Sequence, residues 1–335
     1  MRGALWERLV DEKVVRCKLC AHGCRMKDDQ KGRCGVRAAS DGRLVSLVAD
    51  VVSSVQMDPV EKKPLFHFLP GTQTYSIGSV GCNFSCAFCQ NYTISQVPPN
   101  GVIRGKHVDP AELVGQAENY GAPSMAFTYN EPTVFYELVS ETAKLAEVAG
   151  IRCLLVSNGF MSEHCLHALG QFIHAANIDL KSFRDSFYKD YCGGRLEPVL
   201  KSLRNIREMG WWLEVTTLVI PGANDSPEEM RDIARFIRDE LGHETPWHLS
   251  AFHGAYRWAD RPTTPLTTLD MAWRIGREEG LSYVYVGNVA SAIGSNTFCP
   301  KCGMLHVERR GYRTRVHGTA GVCSSCGTAI PGVWR

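Results

Sequence analysis

The chain has 335 residues, of which 44% are hydrophobic and 21% charged, values that are ordinary for a globular protein with a sizeable core. Its 37 lysine and arginine residues nearly balance its 35 acidic residues, and the net charge of +2 excludes the strongly basic surface that binds nucleic acid or anionic membranes. No segment approaches the roughly 18 uninterrupted apolar residues of a membrane span, and the early charges of "MRGALWERLVDEK" argue against a signal peptide. We therefore expect a cytoplasmic protein that binds neither nucleic acid nor membrane.

The fourteen cysteines are the unusual feature of the composition. In a reducing cytoplasm, cysteines are metal ligands or reactive thiols more often than they are disulfides. Eleven of them fall into three clusters, and Cys153, Cys165 and Cys192 stand alone. We expect these three to be unreactive thiols of the core or the surface.

Three modules follow one another along the chain. Residues 1–71 contain a cysteine cluster but no long periodic run, and we predict a small metal-binding lobe that ends in the connector "DPVEKKPLFHFLPGT". In residues 72–293, short apolar strands alternate with helical segments. Residues 294–335 lack this alternation and carry two cysteine pairs, which predicts a compact third module.

The strands predicted in the middle module are, in chain order, "TYSIGSVG", "SMAFTYN", "RCLLVSNG", "ANIDL", "LEVTTLVIPG", "WHLSAF" and "SYVYVG". Repeated strand–helix units predict an α/β fold with parallel strands and right-handed crossovers, as either a barrel or an open doubly wound sheet. One helix has clear ends, because Ser226, Pro227 and Glu229 form a capping-box start and Gly242 follows its last turn.

The cluster Cys82, Cys86 and Cys89 lies just after the first strand of this module, where parallel barrels assemble active sites. Four thiolates would close a structural metal site, whereas three thiolates on a 4Fe-4S cluster leave one iron without a protein ligand. The alternative is a zinc site that borrows a fourth ligand such as His67, or a surface thiol cluster.

The spacing CxxxCxxC, with Phe88 before the last cysteine, resembles the signature of the radical S-adenosylmethionine (SAM) superfamily. The wider pattern is similar to the pyruvate formate-lyase activating enzyme branch and, within it, to the radical SAM enzyme of the AmmeMemoRadiSam system. The motifs that carry this resemblance are "CKLCAHGC", "GRCGVR", "DPVEKKPLFHF", "GCNFSCAFCQN", "TYNEPT", "SNGF", "DLKSF", "IPGANDS", "WHLSAFH", "YVYVGN", "CPKCG" and "CSSCGTAIPGVW". The resemblance implies a partial (β/α)6 TIM-like barrel, a 4Fe-4S cluster on the three cysteines, and bound SAM. Activating enzymes typically carry an acid where this chain has Val156, so an auxiliary cation site is not expected there, although Asp179 remains.

We expect SAM to be bound by Phe88 of the cysteine loop and by polar residues at the predicted strand ends. These are Tyr129, Asn130, Glu131, Ser157, Asn158, Asp179, Lys181 and His248. Glu131 either receives the amino group of SAM or is an N-terminal acid of the following helix. Ser157 and Asn158 either bind ribose hydroxyls or form a simple turn, and Lys181 either binds a carboxylate or is solvated. His248 either contacts the adenine or methionine part or is bonded within a loop, and His253 near it has the same two interpretations.

Two further cysteine sets indicate metal sites. Cys299, Cys302, Cys323 and Cys326 form two CxxC pairs, each followed by glycine, which predicts a zinc ribbon or a rubredoxin-like iron site. Cys17, Cys20, Cys24 and Cys34 predict either zinc, with His22 as an alternative ligand, or a second iron–sulfur cluster.

The sequence thus predicts a radical SAM enzyme that cleaves SAM reductively and abstracts hydrogen from an unidentified small molecule or protein. One alternative is an activating enzyme for a glycyl-radical protein, and another is a non-enzymatic electron-transfer or scaffold protein. The expected partners are an electron donor such as flavodoxin or ferredoxin, and a Memo-like, Ammecr-like or glycyl-radical protein.

Overall fold

The computed structural model describes residues 3–9, 14–97, 101–289, 294–319 and 321–334. Short strands come first: β1 (Trp6–Leu9), β2 (Val14–Cys17), β3 (Arg25–Met26), β4 (Arg37–Ser40), β5 (Arg43–Ser46), β6 (Val51–Val52) and β7 (Ser54–Pro59). β1, β2 and β3 form an antiparallel sheet, and β4 and β5 form a hairpin. A 3-10 turn at Val60–Lys62 follows β7.

The repeating middle part comprises β8 (Gln73–Gly78), α1 (Tyr92–Ser95), β9 (Lys106–His107), α2 (Pro110–Asn119), β10 (Ser124–Phe127), α3 (Tyr136–Val148), β11 (Arg152–Ser157), α4 (Glu163–Leu169), β12 (Ala175–Asp179), α5 (Asp185–Phe187), α6 (Leu196–Glu208), β13 (Trp212–Val219), α7 (Pro227–Phe236), β14 (Trp247–Ala251), α8 (Leu266–Glu278) and β15 (Val284–Gly287). The remaining helical segments are 3-10 turns at Pro132–Phe135 and Tyr256–Trp258 and π-helical turns at Tyr188–Cys192 and Ile237–Gly242. β9 pairs with β6.

A sheet of eight strands forms the centre of the fold, in the order β7-β8-β10-β11-β12-β13-β14-β15. The seven strands from β8 to β15 are parallel, and they are the seven strands that the sequence predicts. β7 pairs antiparallel with β8 at one edge. Because the strand order never reverses, the sheet lacks the switch point of a doubly wound fold. Successive right-handed crossovers place the helices on one face, where α2 packs on α3 and α7 on α8.

The strands form where both faces are buried. All four residues of β10 are buried, which is typical of a parallel strand covered on both sides. α7 begins as predicted, because the Ser226 hydroxyl accepts a hydrogen bond from Glu229 N. Glu229 does not complete the capping box by returning a bond to Ser226. Its carboxylate binds the turn after β12 instead, as described below.

One hydrophobic core connects the first strands with the central sheet. Val15, Leu19 and Val36 belong to the same cluster of buried side chains as Ile77 of β8 and Phe127 of β10. The N-terminal segment therefore packs directly on the middle part of the chain.

The last segment is a small antiparallel sheet of β16 (Thr297–Phe298), β17 (Leu305–Arg310) and β18 (Arg313–Val316). The predicted boundary before it, at residues 290–293, lies outside the described residues. Near the end of the chain, Val333 forms a bridge with Phe68 of the connector. None of the helices described here has the length and hydrophobicity needed to cross a bilayer.

Candidate active site

The carboxyl ends of the parallel strands open into one large cavity. Cys82, Cys86 and Cys89, on the loop after β8, line this cavity. The other residues expected from the sequence to bind SAM also line it, and they are Phe88, Tyr129, Asn130, Glu131, Ser157, Asn158, Asp179, Lys181 and His248. Val156 lines it as well. The structure therefore brings together every residue of the predicted site, although it does not test what each one binds.

Hydrogen bonds with Asn130 hold the start of the loop that carries the three cysteines. The Asn130 amide accepts a hydrogen bond from Ser79 N at 3.0 Å and donates one to Gly81 O at 2.8 Å. Gly81 has a φ of +90°, which a side chain would disfavour. The end of β10 thus fixes the path of the chain into Cys82.

Glu131 is buried and fully engaged by neighbouring protein groups. Its Oε1 accepts hydrogen bonds from Thr133 N, Thr133 Oγ1 and Ser157 Oγ, and its Oε2 accepts one from Asn158 N. Burial raises the pKa of Glu131 above its ordinary value, although these hydrogen bonds act in the opposite direction. The contact with Thr133 N makes Glu131 the N-cap of the following turn, and the contacts to Ser157 and Asn158 tie β10 to the end of β11.

Asn158 connects the end of β11 to the cysteine loop. Its side-chain amide donates to Asn83 Oδ1 at 2.7 Å and lies 3.7 Å from Cys82 Sγ. Its Oδ1 accepts a hydrogen bond from Phe160 N at 2.9 Å, which fixes the orientation of the amide. Asn158 is therefore placed to donate to the Cys82 sulfur.

Tyr129 has a strained backbone at the edge of the cavity. Its φ is +70°, which is uncommon for a residue with a side chain, and its hydroxyl donates to Asp58. Asp58 also accepts from Lys62 and from the buried Lys63, whose ammonium lies 4.5 Å from the centre of the Tyr129 ring. Burial opposes ionisation of Asp58, but hydrogen bonds from Lys62, Lys63 and Tyr129 together lower its pKa well below the usual range. The sequence pointed to Tyr129 as part of the site, but not to Asp58, Lys62 or Lys63.

Lys181 forms an ion pair with Asp179 inside the cavity, with Nζ 2.7 Å from the carboxylate. Burial acts to lower the pKa of Lys181, but Asp179, Cys86 and Cys192 together outweigh it and raise that pKa well above its usual value. Lys181 Nζ also lies 5.9 Å from the centre of the Phe88 ring. The solvated interpretation of Lys181 does not fit its burial, because the pair is a fixed charge group beside the cysteine loop.

Two residues that the sequence did not connect with the site, Asn224 and Glu229, hold the Lys181 turn in place. Asn224 of "IPGANDS" donates to Lys181 O at 2.6 Å and accepts from Ile220 N at 2.7 Å. The Glu229 carboxylate accepts from Ser182 Oγ and, at 2.8 Å, from Phe183 N. The available sequence signal for Asn224 was its place in the motif "IPGANDS".

Glu214 is a completely buried acid in the middle of β13, and it positions His248. Its carboxylate lies 2.6 Å from His248 Nε2 and also accepts from the backbone N–H groups of Phe66 and His67. Burial tends to raise the pKa of Glu214, but its interactions with His248 and its hydrogen bond from Phe66 N lower it overall. A charged residue within the apolar strand "LEVTTLV" was the available sequence signal.

His67 and His253 do not join the cysteine site. Both ring nitrogens of His67 are used, Nδ1 by Pro331 O at 2.7 Å and Nε2 by the Tyr285 hydroxyl at 2.6 Å. His67 therefore cannot be the borrowed ligand of a zinc site at the three cysteines. His253 is exposed and is bonded to Asn288 O.

The C-terminal cysteines form a compact group that could hold one metal ion. The four Sγ atoms of Cys299, Cys302, Cys323 and Cys326 all lie within 4.8 Å of one another. The Cys299–Cys326 and Cys302–Cys323 sulfur pairs are 3.6 Å and 3.5 Å apart. Tetrahedral zinc with Zn–S bonds of about 2.3 Å needs sulfurs roughly 3.8 Å apart, so this set fits one metal ion, without choosing between zinc and iron.

The three cysteines of the cavity have a different geometry. Within the part of the chain that the structure describes, the C-terminal set is the one group of His, Cys, Asp or Glu ligands drawn together this closely. Wider separation suits a polynuclear cluster, in which each thiolate binds a different iron. The donor set and its spacing therefore fit a 4Fe-4S cluster at Cys82, Cys86 and Cys89.

The C-terminal hairpin forms part of the cavity wall, which the sequence did not indicate. The lining residues that it supplies are Glu308, Arg309, Arg310, Gly311 and Tyr312. Arg309 is buried, and its guanidinium donates to Phe66 O at 2.6 Å and to Thr297 Oγ1 at 2.8 Å. The hairpin is thus joined to the connector and to the wall of the cavity.

Comparisons with known proteins agree with this arrangement. The family model of the radical SAM superfamily matches residues 76–237. The chain is 43% identical over 316 residues to the uncharacterized protein MJ0808 of Methanocaldococcus jannaschii, and the match covers 94% of each protein.

Solved structures share the fold. Streptococcus suis SuiB bound to S-adenosylmethionine superposes with a TM-score of 0.51 at 14% identity, covering 72% of this chain and 56% of SuiB. A radical SAM methyltransferase from Sphaerobacter thermophilus gives a TM-score of 0.50 at 18% identity, covering 71% of each chain. The solved structures thus share the fold, and residues 76–237, which carry the three cysteines, match the radical SAM superfamily.

Proposed function

We propose that this protein is a radical SAM enzyme whose 4Fe-4S cluster is held by Cys82, Cys86 and Cys89. The observation that carries the proposal is that these three cysteines line the cavity on which the polar ends of β10, β11, β12 and β14 converge. Among the described residues no fourth cysteine lines it, although the Cys192 thiol is in hydrogen-bond contact with Cys86. When bound, such a cluster supplies an open iron for the methionine part of SAM and one electron for cleavage to a 5′-deoxyadenosyl radical.

The residues of the chain have distinct tasks in this proposal. Asn158 donates toward the Cys82 sulfur, and Glu131 holds the Ser157–Asn158 turn beside the cofactor. Because the Glu131 carboxylate already accepts four hydrogen bonds, the amino group of SAM is better served by backbone carbonyls near Tyr129 and Asn130. The Asp179–Lys181 pair provides charge toward a carboxylate of SAM or of the substrate. His248, oriented by Glu214, faces the adenine or methionine part.

The modules fit a partial (β/α)6-type barrel at residues 72–293, with a cysteine-rich lobe at 1–71 and a zinc-ribbon or rubredoxin-like module at 294–335. We infer a cytoplasmic enzyme of the AmmeMemoRadiSam branch, supported by the motifs that run through all three modules. Its electron donor would be a flavodoxin or ferredoxin, and its partner a Memo-like or Ammecr-like protein.

The substrate site lies between the cysteine loop and the C-terminal hairpin. Asn288, Ser295, Asn296 and Arg309 line that part of the cavity, so its wall is polar and carries buried positive charge. This wall supports a polar substrate, either a small molecule or a segment of another polypeptide. A glycyl-radical partner would instead show itself by a protein-centred radical in electron paramagnetic resonance (EPR) spectra.

The proposal is tested by anaerobic loading with iron and sulfide, reduction with dithionite in the presence of SAM, and chromatography for 5′-deoxyadenosine. The wild type should release this product. Cys86→Ala should lose both the product and the iron of the cavity while it keeps the C-terminal metal. Cys165→Ala, which changes a fully buried cysteine outside the three clusters, is the matched control and should behave as wild type. A cluster-loaded wild type that never forms 5′-deoxyadenosine would show an electron-transfer or scaffold protein instead.

A further inference from the structure

The four N-terminal cysteines surround a second cavity. Cys17 ends β2, Cys20 and Cys24 lie on the turn before β3, and Cys34 precedes β4. All four line the same cavity. Cysteines that are up to seventeen positions apart in the sequence therefore converge on one point, as the ligands of a metal centre do.

His22 lines this cavity but is not free to bind a metal. Its Nε2 lies 2.8 Å from Asn83 O, which can only accept, so Nε2 carries the hydrogen. Its Nδ1 then accepts from the Arg33 guanidinium at 3.4 Å. With both ring nitrogens engaged, the four cysteines remain as the ligand set.

The spacing of these cysteines separates them from a site for one metal ion. The C-terminal cysteines provide an internal reference, because their sulfurs pair at 3.5 and 3.6 Å. The N-terminal four do not form such a compact group among the described residues, and neither do Cys82, Cys86 and Cys89. The N-terminal set thus lacks the close approach of sulfur atoms that a site for one metal ion requires.

Arg37 supplies a second, independent indication. Its side chain is buried, lines the same cavity and forms an ion pair with Glu137 at 2.6 Å. Its Nε is nevertheless buried without a hydrogen-bond partner in the described parts of the chain. An unpaired buried N–H is costly, and the sulfur atoms of metal-bound cysteines accept such hydrogen bonds, so Arg37 indicates that a metal centre occupies this cavity.

We propose that Cys17, Cys20, Cys24 and Cys34 bind a second 4Fe-4S cluster rather than zinc. This site has four protein ligands, so it lacks the open iron of the cavity site and suits electron storage or transfer. The inference concerns a different set of cysteines and does not depend on the proposed function.

The second site lies directly beside the first. A Cβ atom added to Gly81, the residue before Cys82, would lie 2.9 Å from Cys34 O, so the two cysteine loops are in backbone contact. The hydrogen bond from His22 to Asn83 O, one residue after Cys82, makes a second connection. Asn83 itself lines the N-terminal cavity. Only a small residue at position 81 permits this approach.

The test is a count of iron, zinc and acid-labile sulfide in full-length protein loaded anaerobically. The variant Cys82→Ala/Cys86→Ala/Cys89→Ala should retain about four iron atoms and about four sulfides per chain, against about eight of each in the wild type. Sulfide decides the result, because mononuclear iron at the C-terminal site contributes none. Adding Cys20→Ala to the triple variant should remove the remaining sulfide.

Other outcomes have defined meanings. Zinc without sulfide in the triple variant, together with about four sulfides in the wild type, overturns the second cluster and leaves the proposed function intact. In another outcome, the triple variant keeps about four sulfides while the single variant Cys20→Ala has none. This result supports the second cluster and contradicts the cavity site. If the triple variant fails to fold, as judged by circular dichroism, the wild type and Cys20→Ala decide. A count of about eight sulfides in the wild type and about four in Cys20→Ala supports the proposal, and the same count in both proteins rejects it.

Discussion

At the scale of single residues, three buried carboxylates organise the site. Glu131, Glu214 and Glu229 each accept a hydrogen bond from a backbone N–H on another segment: Asn158 N, His67 N and Phe183 N respectively. A buried carboxylate must be hydrogen-bonded, and each of these satisfies that need by holding a neighbouring turn. The strand ends are therefore fixed relative to one another before any ligand binds, which keeps the cost of organising the site small.

His67 should make the fold sensitive to acid. Burial lowers the pKa of His67 from 6.5 to about 4 and outweighs the nearby Glu214 carboxylate and the hydrogen bond to Pro331 O, which both act to raise it. Between pH 6.5 and pH 4 the unfolded state binds more protons, so stability that is complete above pH 6.5 is lost as the pH falls toward 4. The shift corresponds to at most about 3 kcal/mol. Urea unfolding at several pH values between pH 7 and pH 4 measures this loss in the free energy of unfolding.

The variant His67→Gln should flatten this pH dependence, although its stability at neutral pH should be lower because the packing and hydrogen bonds change. His243→Gln, at an exposed histidine, serves as the control and should keep the wild-type profile. If His67→Gln retains the full loss of stability between pH 6.5 and pH 4, another buried group is responsible.

At the scale of elements, the C-terminal hairpin is part of the active-site wall rather than an appendage. β17 and the turn to β18 contribute Arg309, Arg310 and Tyr312 to the cavity, while the four cysteines sit in the turns on either side. Gly303 and Gly327 follow the second cysteine of each pair with φ of +73° and +71°, as tight metal-binding turns require. A metal bound to these cysteines would therefore stabilise the segment that forms this wall of the cavity.

Removal of the C-terminal metal should release this hairpin. A module this small has little core of its own, and a structural zinc ion contributes on the order of 10 kcal/mol to such a fold. Cys302→Ala should therefore lower the zinc or mononuclear iron content and expose residues 294–334 to proteases, while the middle part of the chain stays intact. Limited proteolysis with mass spectrometry detects the cleavage. Cys153→Ala should leave the tail resistant, and an equally resistant Cys302→Ala would show that the metal is not needed for packing.

At the scale of the whole molecule, the N-terminal strands and the central sheet share one core. A domain that shares its core with another does not unfold separately from it. The N-terminal cysteine loop and the loop of Cys82, Cys86 and Cys89 are therefore attached to one continuous core. The contact between Cys34 and Gly81 depends on that core.

Val36→Ala tests this cooperativity. Val36 is completely buried beside Cys34, and truncation should cost about 2 kcal/mol. If the core is continuous, urea unfolding followed by pulsed hydrogen exchange should show β11 and β12 losing protection at a lower midpoint. Val102→Ala, at a residue that is 82% exposed, should leave the midpoint within about 0.5 kcal/mol of wild type. Unchanged protection of β11 and β12 in Val36→Ala would mean that the N-terminal strands unfold independently.

The sequence predicted those parts of the fold that depend on local pattern. Apolar strands separated by helices gave all seven parallel strands, and the cysteine spacing and strand-end residues gave the cavity lining. β7 was missed because "SVQMDP" mixes polar residues and a proline, and its pairing with β8 is a tertiary contact. Glu214, Asp58 and the hairpin wall were missed for the same reason, since each acts on a segment distant in sequence.

The contact between the connector and residues near the end of the described chain couples two segments that are far apart in the sequence. Val333 N donates to His67 O at 2.7 Å, and its carbonyl accepts from Leu69 N at 2.6 Å. Phe66, next to His67, lines the cavity. A change that loosens the segment around Val333 is therefore transmitted through the connector to the cavity wall.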